Sequence, residues 1–171
     1  MNFASPGVGT GLHLSALRFQ SSAGIQAMPV MFKGGPESLT EVIAGRIDFF
    51  FAPIAIALPH VREGTLTALA VNGAQRTAAL PEVPTISEAG FANAEYPFWI
   101  GIFLPAKVPR QIVERLHRET TSALADPAVR EKLAALGVDP MTLTPAEFDA
   151  YVERQIPVDA DLVKQAGIKT N

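Results

Sequence analysis

The sequence predicts an α/β domain built on a mostly parallel sheet, followed by a region made of helices alone. Three observations carry this. Short apolar runs alternate with helix-period segments through about residue 71, and glycine-rich loops join the first of those runs to the helices that follow. Beyond residues 96–104 the strand signals stop and capped amphipathic stretches take over. Strands separated by helices of this length imply βαβ units and parallel pairing.

The elements follow in order. A short strand at 3–5 runs through the loop PGVGTG into a helix over about 11–23. On that helix Leu12, Ala16, Phe19 and Ala23 recur at spacings of four, three and four, which makes one apolar stripe. Gly24 stands where a helix C-terminal cap is expected. A strand over about 26–32 turns through Lys33-Gly34-Gly35 into a helix that starts at Pro36 and ends at Gly45. Residues 47–51 (IDFFF) read as a strand covered on both faces. Pro53 opens a helix reaching about 63, kinked at Pro59, and 65–71 is the next strand. The stretch 72–93 is rich in Pro, Gly and Ala, with a short helix around 87–89, and 96–104 is extended.

Three helices come last. One spans 109–124 with Ile112, Leu116 and Ala123 on one face, and another starts at Asp126-Pro127 and stops at Gly137. The third starts at Thr144-Pro145-Ala146-Glu147, a capping box with proline at the first helical position. Pro157 is expected to break or bend it before it resumes over 162–166. The stripes of these helices have almost no strand to cover.

The 171 residues suffice for one full domain, or a domain and a fraction. With 48% hydrophobic and 18% charged residues the chain is not of disordered composition. A net charge of −3 without a basic run excludes a nucleic-acid footprint. There is no cysteine, hence no disulfide or thiolate metal site, and His13, His60 and His117 lack metal-ligand spacing, so no metal or cofactor is expected. No apolar run is long enough for a membrane helix. The first residues lack the basic start and apolar stretch of a signal peptide. They open on a strand–loop–helix junction, from which a preceding segment is expected.

Three loops follow strand ends: residues 5–13 (SPGVGTGLH), 32–36 (FKGGP) and 51–53 (FAP). In open α/β sheets ligands bind outside the carboxyl ends of strands. The first two loops feed helix N-termini, where unpaired N–H groups and the helix dipole favour an anion. Thr10 is the expected N-cap, leaving the Ser5 hydroxyl to face a ligand, and Lys33 adds a positive charge. The spacing Gly7-x-Gly9-x-Gly11 fits neither nucleotide-binding glycine motif. His13 lies in the first turn of its helix, where the dipole disfavours an imidazolium. A neutral His13 either contacts ligand or ties the loop down. Asp48, inside an apolar strand, needs donors; backbone N–H groups of a neighbouring loop are the simplest source, and structural bracing is the favoured reading. Ser5 has no nucleophile-elbow context, Glu37 and Glu41 read as a solvated i, i+4 pair, and no acid–base couple is visible, so no enzyme is expected. Tyr96, Phe98 and Trp99 sit where the two regions meet, either as packing or as a cleft wall.

Six segments carry a family resemblance: ASPGVGTGLHL, FKGGPESLTEVIAGRIDFFFAP, ALPHVREGTLTALAV, RTAALPEVPTISEAG, FWIGIFLPAKVPRQIVERL and ALADPAVREKLAALG. Together they resemble the Bug, or TctC-like, family of periplasmic solute-binding proteins, with LPEVPTISEAG the most specific string. The resemblance implies a type II periplasmic-binding-protein-like fold, in which two α/β domains joined by crossover strands close over a ligand. It implies that residues 1–100 are the second, ligand-binding domain with crossover strands at its ends. Residues 101–171 are then the helical return to an incomplete first domain. It implies small organic carboxylates as ligands, the membrane components of a tripartite tricarboxylate transporter as partner, a periplasmic location and no cofactor.

By position, Ser5, Gly7, Gly9 and Thr10 match the second-domain loop, Lys33, Gly34 and Gly35 match its neighbour, and Asp48 matches an acidic strand residue. Ala52 departs from the family, which often carries Asp there, and so does Pro157. The alternative is the effector-binding domain of a transcriptional regulator with the same two-lobed architecture. The bare stripes of the last helices are expected to pack against, or exchange with, a second copy. With half a clamp, carboxylate binding is expected to be weak.

Overall fold

The computed structural model describes residues 1–165, 167 and 168. Eight elements follow in order: β1 (Asn2–Ser5), α1 (Gly11–Ala23), β2 (Met28–Met31), α2 (Gly35–Ile43), α3 (Ile54–Arg62), α4 (Arg110–Ala125), α5 (Pro127–Ala135) and α6 (Pro145–Gln165). The expected helical end at Ala166 lies outside the described residues.

The parallel pairing read from the sequence is present. β1 and β2 run parallel from Asn2↔Met28 to Ser5↔Met31, and Phe32 N–H extends the ladder to Ser5 O at 2.9 Å. On the other side of β1, Phe3 bridges Phe49 in parallel, with Ala4 N–H donating to Phe49 O at 3.0 Å. β1 is therefore the middle of three parallel chains. Pro29 is tolerated because β2 is an edge.

Two expected strands shrink. Residues 47–51 contribute only the Phe49 bridge, because β1 offers just four residues and the chain then turns at Pro53 into α3. Residues 65–71 keep only the bridge Val71↔Thr85. The N–H groups of Thr65 and Leu66 fold back onto His60 O at 2.9 and 3.1 Å, after Gly64 in the left-handed region, so this stretch starts away from the sheet. Residues 87–89 form a turn rather than a helix, with Ala89 N–H on Thr85 O and Gly90 N–H on Ser87 O.

The helix signals hold more closely. Thr10 caps α1 and Gly24 ends it in the left-handed conformation. Asp126 caps α5 by accepting from Ala128 and Val129 N–H. The capping box is reciprocal: Glu147 N–H donates to Thr144 Oγ1 at 3.3 Å and Thr144 N–H to Glu147 Oε2 at 2.8 Å. The expected break at Pro157 does not occur; α6 is helical through it. A proline deletes one ladder donor and crowds one turn, which the bonds on either side can span.

Phe3 is fully buried and stacks on Phe49 at 5.7 Å between centroids. Phe19 meets Phe49, Phe51 and Phe91, which seals α1 onto the sheet. Leu58 packs with Leu80 and Val83 beneath α3. Leu14, Tyr96 and Leu162 form a third cluster that docks α6 on α1. α4 and α5 bury no residue, and Ile112 and Leu116 of the expected stripe stay 48% and 43% exposed.

Candidate functional site

The loops after β1 and β2 leave neighbouring strands, about 4.8 Å apart. Each enters a helix: Thr10 caps α1 and extended Gly34 caps α2. In the first loop Gly7 and Gly9 have φ of 154° and 77°, conformations that a Cβ would strain.

The Ser5 hydroxyl does not face outward as expected. Ser5 is completely buried, with its Oγ 2.8 Å from His13 Nδ1, accepting from Gly7 N–H at 3.3 Å and near Gly7 O at 3.2 Å. His13 is also buried, and burial holds its imidazole below the ordinary value of 6.5. Of the two roles open to His13, the contact shown is the tie to the loop. Thr10 Oγ1 donates to Gly7 O at 2.8 Å and accepts from His13 N–H at 3.3 Å.

With Ser5, Thr10 and His13 so engaged, the loop presents main chain. Among the described residues no hydrogen bond takes the N–H of Val8, Gly9, Gly11 or Leu12. Gly9 and Gly11 line a cleft of about 230 Å³ with Leu14, Tyr96, Pro97, Phe98, Trp99 and Asp159. Tyr96, Phe98 and Trp99 thus wall it, while Trp99 also packs edge-on against Phe148 and Tyr151. Tyr96 Oη donates to Asp159 Oδ1 at 2.8 Å. Burial, then this carboxylate, pushes the phenol well above its ordinary value. Asp159 is the cleft residue that sequence reasoning missed. It carries no motif and stands 63 positions from Tyr96.

The second loop differs. Glu37, read as solvated, places its Oε2 2.8 Å from Lys33 N–H, so a carboxylate of the chain already sits at the start of α2. Glu41 pairs with Arg46 instead, at 2.5 and 2.7 Å. Lys33 is exposed. Gly35 packs under α3, where a Cβ would stand 2.9 Å from Ile56 Cδ1.

Asp48 lies elsewhere. Its Oδ2 accepts from Asn2 N–H at 2.6 Å, and Asp48 N–H donates to Asn2 Oδ1 at 2.9 Å. The donor is the first residue of β1 rather than a loop, three residues or roughly 10 Å of strand from Ser5. The structure therefore gathers Gly7, Gly9 and Thr10 at the α1 entry, backed by Ser5 and His13. Lys33, Gly34 and Gly35 stand beside them, and Asp48 is at the opposite end. Among the described residues, no three His, Asp or Glu side chains are grouped to hold a metal, and no helix is long and apolar enough to cross a membrane.

A parallel α/β layer whose strand ends carry glycine-rich helix entries is the architecture of periplasmic binding proteins. The solved structure of the periplasmic binding protein BugD superposes with a TM-score of 0.89 at 26% identity, covering 100% of this chain and 58% of that one. The model of the tripartite tricarboxylate transporter family receptor (TctC) matches residues 1–168, and the chain belongs to this family. A curated relative, the UPF0065 protein in the tcbD-tcbE intergenic region of Pseudomonas sp. (strain P51), is 35% identical over 139 residues, covering 81% of this chain and 41% of its own length. Two further structures are similar. R. palustris Rpa4515 with adipate has a TM-score of 0.87 and 27% identity, covering 98% of this chain and 56% of that one. MatC from Rhodopseudomonas palustris with bound malate has a TM-score of 0.84 and 28% identity, covering 95% and 56%. The chain spans 41% to 58% of the length of these four proteins. The family is one of solute-binding receptors, not enzymes, and the effector-domain alternative is not favoured.

Proposed function

We propose that this chain carries one side of a carboxylate-binding cleft in a periplasmic receptor, which hands small organic carboxylates to the membrane components of a tripartite transporter. One observation carries the reading: Gly9 and Gly11 at the α1 N-terminus, whose N–H groups have no partner among the described residues, line the aromatic-walled cleft. Such groups and the helix dipole stabilise an anion. Similar structures hold adipate and malate, which supports small carboxylates as the ligand class.

The residues divide by role. Gly7, Gly9 and Thr10 shape the loop, Ser5 and His13 brace it from below, Lys33 adds a positive charge beside it, and Gly34 and Gly35 form the neighbouring turn, whose helix start Glu37 already occupies. Asp48 braces the far end of β1. Residues 1–100 act as the second, ligand-binding domain and 101–171 as the helical return to an incomplete first domain. Closure of the two around the ligand proceeds only as far as the ligand gains contacts in the closed state.

Amide-resolved NMR titration of the 171-residue chain with malate and adipate tests the site. Progressive shifts centred on Gly9 and Gly11, with a dissociation constant weaker than about 10 µM, are expected. Gly9→Val is the matching variant. It forces a side chain into φ 77° where nothing lies within 4 Å, costing about 1–2 kcal/mol in stability while blocking the anion. Shifts unchanged by that variant, or centred on another surface, would refute the assignment.

A further inference from the structure

Along α6 the packing partners change at Pro157. Before it, Phe148 lies against Trp99 and Phe103, each at 5.4 Å between ring centroids, and Tyr151 lies against Trp99 at 5.5 Å. Gly101 runs so close that a Cβ there would overlap the Phe148 ring. His117 Nε2 of α4 stands 3.0 Å from Leu143 O, just ahead of the capping box that starts α6. The first arm of α6 is thus seated on residues 99–103 and on α4. After Pro157 the partners belong to the α/β region. Asp159 Oδ1 accepts from Tyr96 Oη at 2.8 Å, and Leu162 packs on Leu14 of α1 and on Tyr96.

A helix bends most easily at such a residue. Pro157 has no N–H to give Glu153 O, and its ring crowds that carbonyl. The chain itself crosses between the same two bodies at Pro97 and Phe98, between Tyr96 on one side and Trp99 on the other. The two crossings are neighbours in space. Pro97 and Asp159 line one cleft, and the Tyr96–Asp159 hydrogen bond ties their flanks together. A rotation whose axis runs through both crossings strains neither body, and hinges absorb motion at a few residues of this kind.

From this geometry we infer that Pro157 is the pivot of a hinge within α6. Residues 158–165 stay on α1 while 145–156 swing with α4 and residues 99–103, and Pro97 and Phe98 take up the turn along the chain. α6 keeps its bonds on both sides of the proline, so it bends without unwinding and the swing is limited. Gly9, Gly11, Leu14, Tyr96 and Asp159 of the cleft belong to the fixed side and Trp99 to the moving side, so the swing widens and narrows the cleft. The pivot needs no ligand, so its test and that of the carboxylate site fail separately.

The chain has no cysteine, so nitroxide pairs can be placed by substitution. Thr40→Cys on α2 with Arg115→Cys on α4 spans the pivot, whereas Thr40→Cys with Lys164→Cys on α6 does not; all three positions are exposed. Pulsed EPR of the ligand-free chain should give the first pair a distance distribution at least about twofold broader than the second. Pro157→Ala should narrow the first to about the width of the second, while circular dichroism keeps the helix content. A first pair as narrow as the second in the parent chain, or a width unmoved by Pro157→Ala, would overturn the proposal. So would a second pair as broad as the first, because α6 would then leave α1 as one rigid rod.

Discussion

His13 and Ser5 hold each other beneath the first loop, and that contact makes the loop sensitive to acid. In the unfolded chain an imidazole takes up a proton as the pH falls through about 6.5; in the folded chain burial lowers that value. Between the two values the unfolded state binds more protons. Stability present above pH 6.5 is therefore lost as the pH falls towards the folded value. Urea unfolding across this range should show that loss, and His13→Gln should flatten it. Asp159 invites a second test at the same scale, because its carboxylate shares the cleft with the α1 N-terminus. Asp159→Asn keeps an acceptor for Tyr96 but removes a negative charge. We expect carboxylate binding to tighten several-fold by calorimetry; unchanged or weaker binding would show that Asp159 does not act on the anion.

Among the elements, α1 depends most on its entry. Thr10 both caps the helix and holds Gly7 O, so Thr10→Ala should cost about 1 kcal/mol in denaturant unfolding and loosen the loop as well. α6 is the opposite case: a helix that continues through an unfavourable residue. Pro157→Ala restores a donor inside α6 and should stabilise the chain by about 1–3 kcal/mol. The sequence pointed to a break there because a proline's local cost is visible in sequence. The contact that holds α6 across it, Leu162 against Leu14 and Tyr96, is not. The strand at 65–71 was misread for a related reason. Its composition suits a strand, but the chain folds back onto His60 before it can reach the sheet.

At the scale of the molecule, the core of the α/β region rests on Phe3 and its aromatic neighbours. Phe3→Ala should cost about 3–5 kcal/mol, measured by chemical denaturation, because the ring is fully buried and stacked. The helical region is held more lightly. α4 and α5 bury nothing, so hydrogen exchange there should be faster than in β1 and α1. The parallel layer and its loops were legible from apolar runs, glycine spacing and the family strings. The cleft was only partly legible, since its floor and aromatic wall are local sequence while Asp159 reaches it from α6.

The sequence by itself determined where α1 starts and stops and where α5 and α6 start. Thr10, Gly24, Asp126 and Thr144 act on groups within a few residues of themselves, and such contacts form in any context that permits the helix. Only the tertiary structure decided that the Ser5 hydroxyl turns inward, that Asp48 braces the far end of β1, and that Asp159 enters the cleft. Each of those depends on packing or on partners that chain folding alone brings together.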